Sequence, residues 1–312
     1  MNKRRYINHG LAFLLSLLIA GGVGVSHFAD SSGQEETLMD QSQELDSLIL
    51  AGDTLSGADS LHVIIENPTP QYISFGEGEK FVYSIQYGII SAGEATLEIR
   101  NIAYIDSVPC YHIISDARSN RVFSKFFKVR DRFESFMDTL SLTSLYYEKH
   151  LREGKYRKDE AVKFDQSAHK AIYKDRVVSI PPRTQDVLSA LYYVRALPLE
   201  LGQSFAVANH TNGKNYPLVV KVLRREQISV EAGTFDCIVV EPLLRSAGLF
   251  KHKGRLTVWL TDDKYRIPVL MQSKVVIGAI SAVLKEYELA NKVRYAEQVR
   301  GGGSFENKVD FD

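Results

Sequence analysis

The residues of this chain that could do chemistry are scattered, and their spacing rules out more than it supports. The histidines are His9, His27, His62, His112, His150, His169, His210 and His252. No two of them form the HxH, HxxxH or HExxH spacings that bring imidazoles to one metal. No GxSxG sequence marks a nucleophilic serine at a strand-to-helix elbow, and no glycine-rich loop offers to cradle a phosphate. Asp262 and Asp263 are adjacent carboxylates. Neighbours on a strand point to opposite faces, so with Lys264, Arg266 and Pro268 behind them they read as a turn. Arg183 and Thr184-Gln185-Asp186 precede a helical pattern. Backbone N–H groups at such a terminus can receive an anion, but an ordinary cap accounts for the same residues. No catalytic, metal-binding or cofactor-binding set emerges, and an enzyme is the least supported reading.

Two further groups matter for architecture. Cys110 and Cys237 both fall in strand-like segments. In an oxidising compartment they are a candidate disulfide that would close a long loop; otherwise they are two buried thiols. Phe123, Phe126, Phe127, Phe133, Phe136, Tyr146 and Tyr147 make an aromatic concentration. It serves either a packed core or the lining of an apolar cavity.

The elements that must position these residues begin with a leader. Lys3, Arg4 and Arg5 precede an uncharged run from Leu11 to Val25, followed by small residues around Ser26. This is the order of a secretory signal, and at residues 1–29 it predicts a signal peptide or signal anchor and export to the periplasm or cell envelope. The run is short for a bilayer span. Residues 30–79 carry eleven Asp and Glu, and no Lys or Arg lies between Arg5 and Lys80. Residues 30–71 therefore read as an acidic disordered linker. The remainder is mildly basic, with its cations dispersed and not clustered as in nucleic-acid modules, so no nucleic-acid partner is expected.

From Tyr72 the pattern alternates. Phe81, Tyr83, Ile85 and Tyr87 interleave with Val82, Ser84 and Gln86, the signature of antiparallel strands with one buried face. A turn is expected at Ile89–Glu94 and a strand over Lys125–Phe136. Counting on to residue 297 predicts a mostly β domain, 72–297, with about 12–14 strands in a curved antiparallel sheet, either a half-barrel or two packed sheets. Residues 298–312 read as a disordered tail. One amphipathic helix is expected over 184–197, with Thr184 as N-cap, Asp186 in the first turn and Pro198 ending it. A lone helix in a β protein must bury its stripe, so it covers the open sheet.

Several segments together resemble the bacterial family of exported proteins called domain of unknown function 3108 (DUF3108). They are Tyr83-Ser84-Ile85-Gln86-Tyr87-Gly88 with Ala92-Gly93-Glu94-Ala95, and Tyr147-Glu148-Lys149 leading to Glu153-Gly154-Lys155-Tyr156. Pro181-Pro182-Arg183-Thr184-Gln185-Asp186-Val187-Leu188, Val230-Glu231-Ala232-Gly233-Thr234-Phe235 and Trp259-Leu260-Thr261-Asp262-Asp263 complete them. The resemblance implies an exported, β-rich domain and brings no activity or site residues. A looser likeness, in layout alone, is to the open barrels of periplasmic lipoprotein carriers. The resulting expectation is non-enzymatic binding of a lipid or other hydrophobic ligand. The cleft would be lined by Leu188, Leu191, Tyr192, Phe126, Phe133 and Trp259. The alternative is a module that contacts another envelope protein or polysaccharide, with membrane contact only through an uncleaved N-terminal segment.

Overall fold

In the computed structural model, the residues described are 64–66, 68–244, 256–274, 278–290 and 294–295. The expected leader, most of the expected linker and the expected tail lie outside them.

Short strands β1 (Ile64–Glu66) and β2 (Tyr72–Ile73) open the chain. A meander follows: β3 (Lys80–Tyr87), β4 (Ile90–Ile105), β5 (Val108–Ser119), β6 (Arg130–Asp138), β7 (Ser144–Glu153), β8 (Tyr156–Asp165), β9 (Lys170–Ile172) and β10 (Val177–Ser179). The helix α1 (Val187–Arg195) comes next, then β11 (Ser204–Val207) and the small hairpin β12 (His210–Thr211) and β13 (Lys214–Asn215). The last strands are β14 (Leu218–Val230), β15 (Gly233–Leu244), β16 (Leu256–Thr261), β17 (Pro268–Lys274), β18 (Ala279–Glu288) and β19 (Arg294–Tyr295).

Fifteen strands form one curved sheet in the order β1-β11-β14-β15-β16-β17-β18-β3-β4-β5-β6-β7-β8-β9-β10. The sheet does not close, because β1 and β10 are its edges and do not pair. It is mixed and not purely antiparallel, since β1 runs parallel to β11 with Ile64 opposite Ser204. The expected count was slightly low, because β1 adds an edge from the segment read as linker.

Side-chain alternation builds the core as expected. Phe81, Tyr83 and Ile85 point inward from β3, and Phe133, Ser135 and Met137 from β6. Two local expectations shift. The turn after β3 is centred on Gly88, at φ 58°, and Ile90 already begins β4. The strand expected from Lys125 starts at Arg130, because Phe123–Lys125 form a 3-10 turn. Asn120 Oδ1 starts that turn by accepting the N–H groups of Val122 and Phe123.

The helix is shorter than its expected span, and its cap is Asp186 instead of Thr184. Asp186 accepts the N–H groups of Leu188 (2.7 Å) and Ser189 (3.0 Å), and Ser189 Oγ accepts the Asp186 N–H in return. This is a capping box, satisfying donors that a helix start would otherwise leave bare. Thr184 lies too early to cap, because Gln185 after it is still extended and bridges Asn209; its hydroxyl donates back to Pro181 O (2.6 Å). Asp186 is itself buried, and its carboxylate also accepts from Ser135 Oγ on β6 (2.6 Å) and Ser144 Oγ on β7 (2.5 Å).

The other end of α1 is held by an ion pair with no solvent contact. Arg195 grips Glu79 through two hydrogen bonds of 2.6 and 2.8 Å, and both side chains are wholly buried. Arg195 also donates to the carbonyls of Arg266 and Tyr265, between β16 and β17. Its guanidinium lies 4.9 Å from the Tyr192 ring centre and 5.3 Å from those of Phe75 and Phe81. One side chain thus ties α1 to the approach of β3 and to the β16–β17 turn.

The hairpin β12–β13 reaches from one edge of the sheet to the other. It grows between β11 and β14, yet His210 hydrogen-bonds Tyr173 OH (2.7 Å) just after β9, and Asn215 donates to Ser179 O on β10 (2.8 Å). Lys149 on β7 is buried, pairs with Glu160 on β8 (2.9 Å) and donates to Asn212 in the hairpin turn. Burial lowers the Lys149 pKa, and Glu160 opposes that effect.

Cys110 and Cys237 are both buried and both free. The candidate disulfide is therefore corrected: β5 and β15 are separated in the sheet by five other strands. Burial pushes the Cys110 thiol up to about 11 and the Cys237 thiol up to about 12.

Two outcomes are expected. Arg195→Met should lower unfolding stability by about 3–5 kcal/mol in urea titrations, because Glu79 is left buried and unpaired. Glu79→Leu with Arg195→Met should recover most of that loss. A double variant as unstable as the single one would contradict the account. At mildly alkaline pH neither thiol should react with iodoacetamide in the folded protein, and both should react in urea, as read by mass. Rapid native alkylation of either would show that it is not buried.

Candidate functional site

A cavity of about 110 Å³ lies between α1 and the inner face of the sheet. The helix contributes Val187, Leu188, Ala190, Leu191 and Val194, spaced so that they share one face. Tyr83 and Ile85 of β3, Ala95 and Leu97 of β4, and Met271 and Ala282 of β17 and β18 form one wall. The lining continues along the same sheet with Leu218 and Val220 of β14, Val240 and Pro242 of β15, and Leu256, Val258 and Leu260 of β16. Polar groups are few: Thr96, Ser115, Asn209 and the Tyr83 hydroxyl, and no Asp, Glu, Lys, Arg or His lines the space. The Tyr83 hydroxyl donates to Pro268 O (2.9 Å) and Asn209 Nδ2 to Gln185 O (3.3 Å), so both are committed within the protein. Burial raises the Tyr83 pKa well above the usual phenol value. The surface left to a guest is apolar.

Of the residues expected to line a cleft, Leu188 and Leu191 do so. Tyr192 turns away and packs edge-on against Phe75, ring centres 5.0 Å apart. Phe133 is fully buried in the core but is not part of the cavity wall. Phe126 is corrected outright: it follows the 3-10 turn and is 76% exposed. Trp259 lies between Val258 and Leu260, which do line the cavity. Alternation sends its indole to the other face, where the N–H donates to Glu226. The aliphatic wall of β14–β18 was missed as a lining. Its only signal was alternation, which marks an inward face without showing whether that face is packed or hollow.

Asp131 and Glu153 are buried neighbours that shift one another's titration, and Asp131 Oδ1 accepts the Arg152 N–H (2.8 Å). Asp131 Oδ2 and Glu153 Oε1 are buried with no donor, and one proton shared between them would satisfy both. Burial raises both pKa values, and repulsion from Asp131 adds to the rise at Glu153, which reaches about 8. Neither carboxyl lines the cavity. Asp262 and Asp263 stand in a turn, where Asp262 pairs with Arg225 and Arg266, and Asp263 Oδ1 accepts the N–H groups of Tyr265 and Arg266. Among the described residues no group of three or more His, Cys, Asp or Glu is placed to hold a metal.

A family model described as a protein of unknown function, DUF3108, matches residues 82–285. Among solved structures, the beta-barrel-like protein of domain of unknown function DUF1849 from Brucella abortus is similar with a TM-score of 0.48 at 9% identity, covering 69% of this chain and 98% of that one. A candidate lipoprotein from Parabacteroides distasonis gives a TM-score of 0.32 at 12% identity, over 70% of this chain and 100% of its own. A candidate exported protein with a YmcC-like fold from Bacteroides fragilis gives 0.27 at 10%, over 70% and 100%. No curated protein matches the chain.

The carboxyl pair generates a pH dependence. Unfolded carboxyls titrate near pH 4, whereas the folded pair keeps a proton to about pH 8. The folded state therefore binds more protons in that window, and its stability falls as pH rises through it. Glu153→Gln supplies a permanent N–H donor to Asp131. Its melting temperature relative to wild type should be several degrees higher near pH 8 than near pH 5. A difference that does not change with pH would dismiss the shared proton.

Proposed function

This chain belongs to the DUF3108 family of proteins of unknown function, and from that premise we propose that it is an exported, non-enzymatic envelope protein whose cavity binds a lipid or other hydrophobic ligand. The observation that carries the reading is the cavity lining: aliphatic on the helix and on the sheet, without a charged group, and with its few polar atoms largely committed elsewhere. Such a space repels water, which needs two or more polar partners, and favours apolar atoms. Export to the periplasm is supported by Lys3, Arg4 and Arg5 ahead of the uncharged Leu11–Val25 run.

Volume narrows the ligand. The cavity of about 110 Å³ is of the order of the roughly 150 Å³ space that admits benzene in an engineered core, and below the roughly 300 Å³ of typical small-molecule sites. It accommodates the end of one acyl chain or a small ring, with the rest of a lipid outside. An envelope-assembly module that binds protein or polysaccharide remains the second reading, and it becomes the better one if no apolar guest is found.

The test is native mass spectrometry of the full chain from its own host, with organic extraction of the same sample. A stoichiometric apolar molecule is expected from the wild type and should be lost from Leu191→Asp and from the cavity-filling Leu191→Trp, each checked for folding by circular dichroism. A clean apo mass together with an undiminished stability of Leu191→Asp would defeat the proposal.

A further inference from the structure

Three turns at one end of the strands are fastened into a single rim. Asn120, in the β5–β6 loop, donates its N–H to Ala92 O (2.9 Å) and its side-chain amide to Ser91 O (2.7 Å), binding that loop to the start of β4. The Gly154 N–H, in the β7–β8 turn, donates to Lys128 O (2.8 Å). Gly154 also lies so close to Phe127 that a Cβ there would stand 2.9 Å from the ring, and at φ 56° its backbone suits glycine. The β3–β4 turn, the β5–β6 loop and the β7–β8 turn are thus held side by side.

This rim displays large apolar side chains to solvent. Ile89 is 100% exposed and Phe126 76%, with Ile90, Val122 and Tyr156 more than half exposed beside them. Scattered exposed hydrophobics are ordinary, but this many on mutually bonded turns form a patch. The same turns are strongly basic. Residues 119–130 contain Arg121, Lys125, Lys128 and Arg130 and no acid, Lys155 follows in the β7–β8 turn, and Arg157 stands at the start of β8. Arg121, Lys125, Lys128, Arg130 and Lys155 are all exposed. The nearby acids are already engaged: Glu153 with Asp131, and Glu94 with Arg118 (3.1 Å) and Lys285 (3.8 Å).

We infer that this rim docks on an anionic lipid surface, inserting Ile89, Val122 and Phe126 among the headgroups while the surrounding lysines and arginines meet lipid phosphates. Apolar tips ringed by cations are what an interfacial site requires, because insertion and electrostatic attraction act together on the same face. A protein partner of matching charge is the competing occupant, and the arrangement favours lipid because the apolar tips come from separate turns and stand among exposed cations whose neighbouring acids are engaged. The inference goes beyond the cavity reading and does not need it: the rim residues and the cavity wall share no side chain.

The test uses the full chain with an environment-sensitive nitrobenzoxadiazole dye on Phe126→Cys, the native thiols being buried. A second chain carries the dye at Tyr104→Cys, an exposed site near the β4–β5 turn, at the opposite end of the strands. The readout is local, so attachment through Leu11–Val25 does not register. With phosphatidylcholine vesicles containing phosphatidylglycerol, the dye at 126 should shift to the blue and brighten, and with phosphatidylcholine alone it should not. The dye at 104 should be unmoved by either. Lys125→Glu with Lys128→Glu should weaken the partition at least about tenfold. Leu191→Trp should leave the shift intact, so loss of the cavity ligand and loss of docking are separable. An equal response at 126 and 104, a response indifferent to phosphatidylglycerol, or no response at 126 overturns the inference.

Discussion

Glu79 and Arg195 are held out of water inside a sheet that never closes on itself, and desolvating two such ions costs several kcal/mol apiece unless geometry returns it. Here the geometry is complete: two parallel hydrogen bonds, two backbone carbonyls and three aromatic rings surround one guanidinium. A hydrophobic pair would pack as well, but it would not care where along the sheet it packed. The ion pair has one satisfactory register, so it sets where the helix ends and therefore where everything beneath it sits.

The helix is fixed at its other end in the same currency. Asp186 is buried, caps α1 and accepts hydrogen bonds from serine hydroxyls of β6 and β7. Position is thus set by polar ties at both termini, and the middle of the helix is relieved of that task. A helix located only by its apolar stripe would sink until its side chains met the opposite wall, because an empty space forfeits dispersion contacts along its lining. Suspended from its ends, α1 spans a hollow between Val187 and Val194 without collapsing into it. The clasp of β12–β13 onto β9 and β10 does the corresponding work for the sheet edges, substituting side-chain bonds for the ladder that β1 and β10 do not form.

Much of this frame was legible in the amino-acid order, and what was not has physical causes. Phe81, Tyr83 and Ile85 announce a half-buried strand because period 2 leaves no other face for them. The helix announces itself through Leu188, Leu191 and Pro198. Glu79 gave no signal, because its partner lies 116 residues away and a lone glutamate before a strand looks like solvated surface. Asp186 and Thr184 are both good caps, and the choice was made by the backbone, which stays extended through Gln185 where it bridges Asn209. Phe126 was read by residue type when local turn chemistry at Asn120 decided its exposure, and Trp259 was assigned to a face without applying the alternation that placed its neighbours.

The order of strands also dictates a sequence of events. β3 to β10 pair with successive neighbours, so the first half of the sheet assembles from local hairpins. Its inner boundary is the side of β3 away from β4, which stays open until β18 arrives to set Ile280 against Tyr87, and almost the whole domain must be synthesised in between. Non-local closure of this kind is slow, and a waiting strand edge is a template for any other extended chain. A chain threaded through a membrane from its N-terminus would present that edge first and complete it last. Its passage to the folded state is then governed by how long β3 can be kept from foreign pairing, a kinetic hazard that no measure of final stability records.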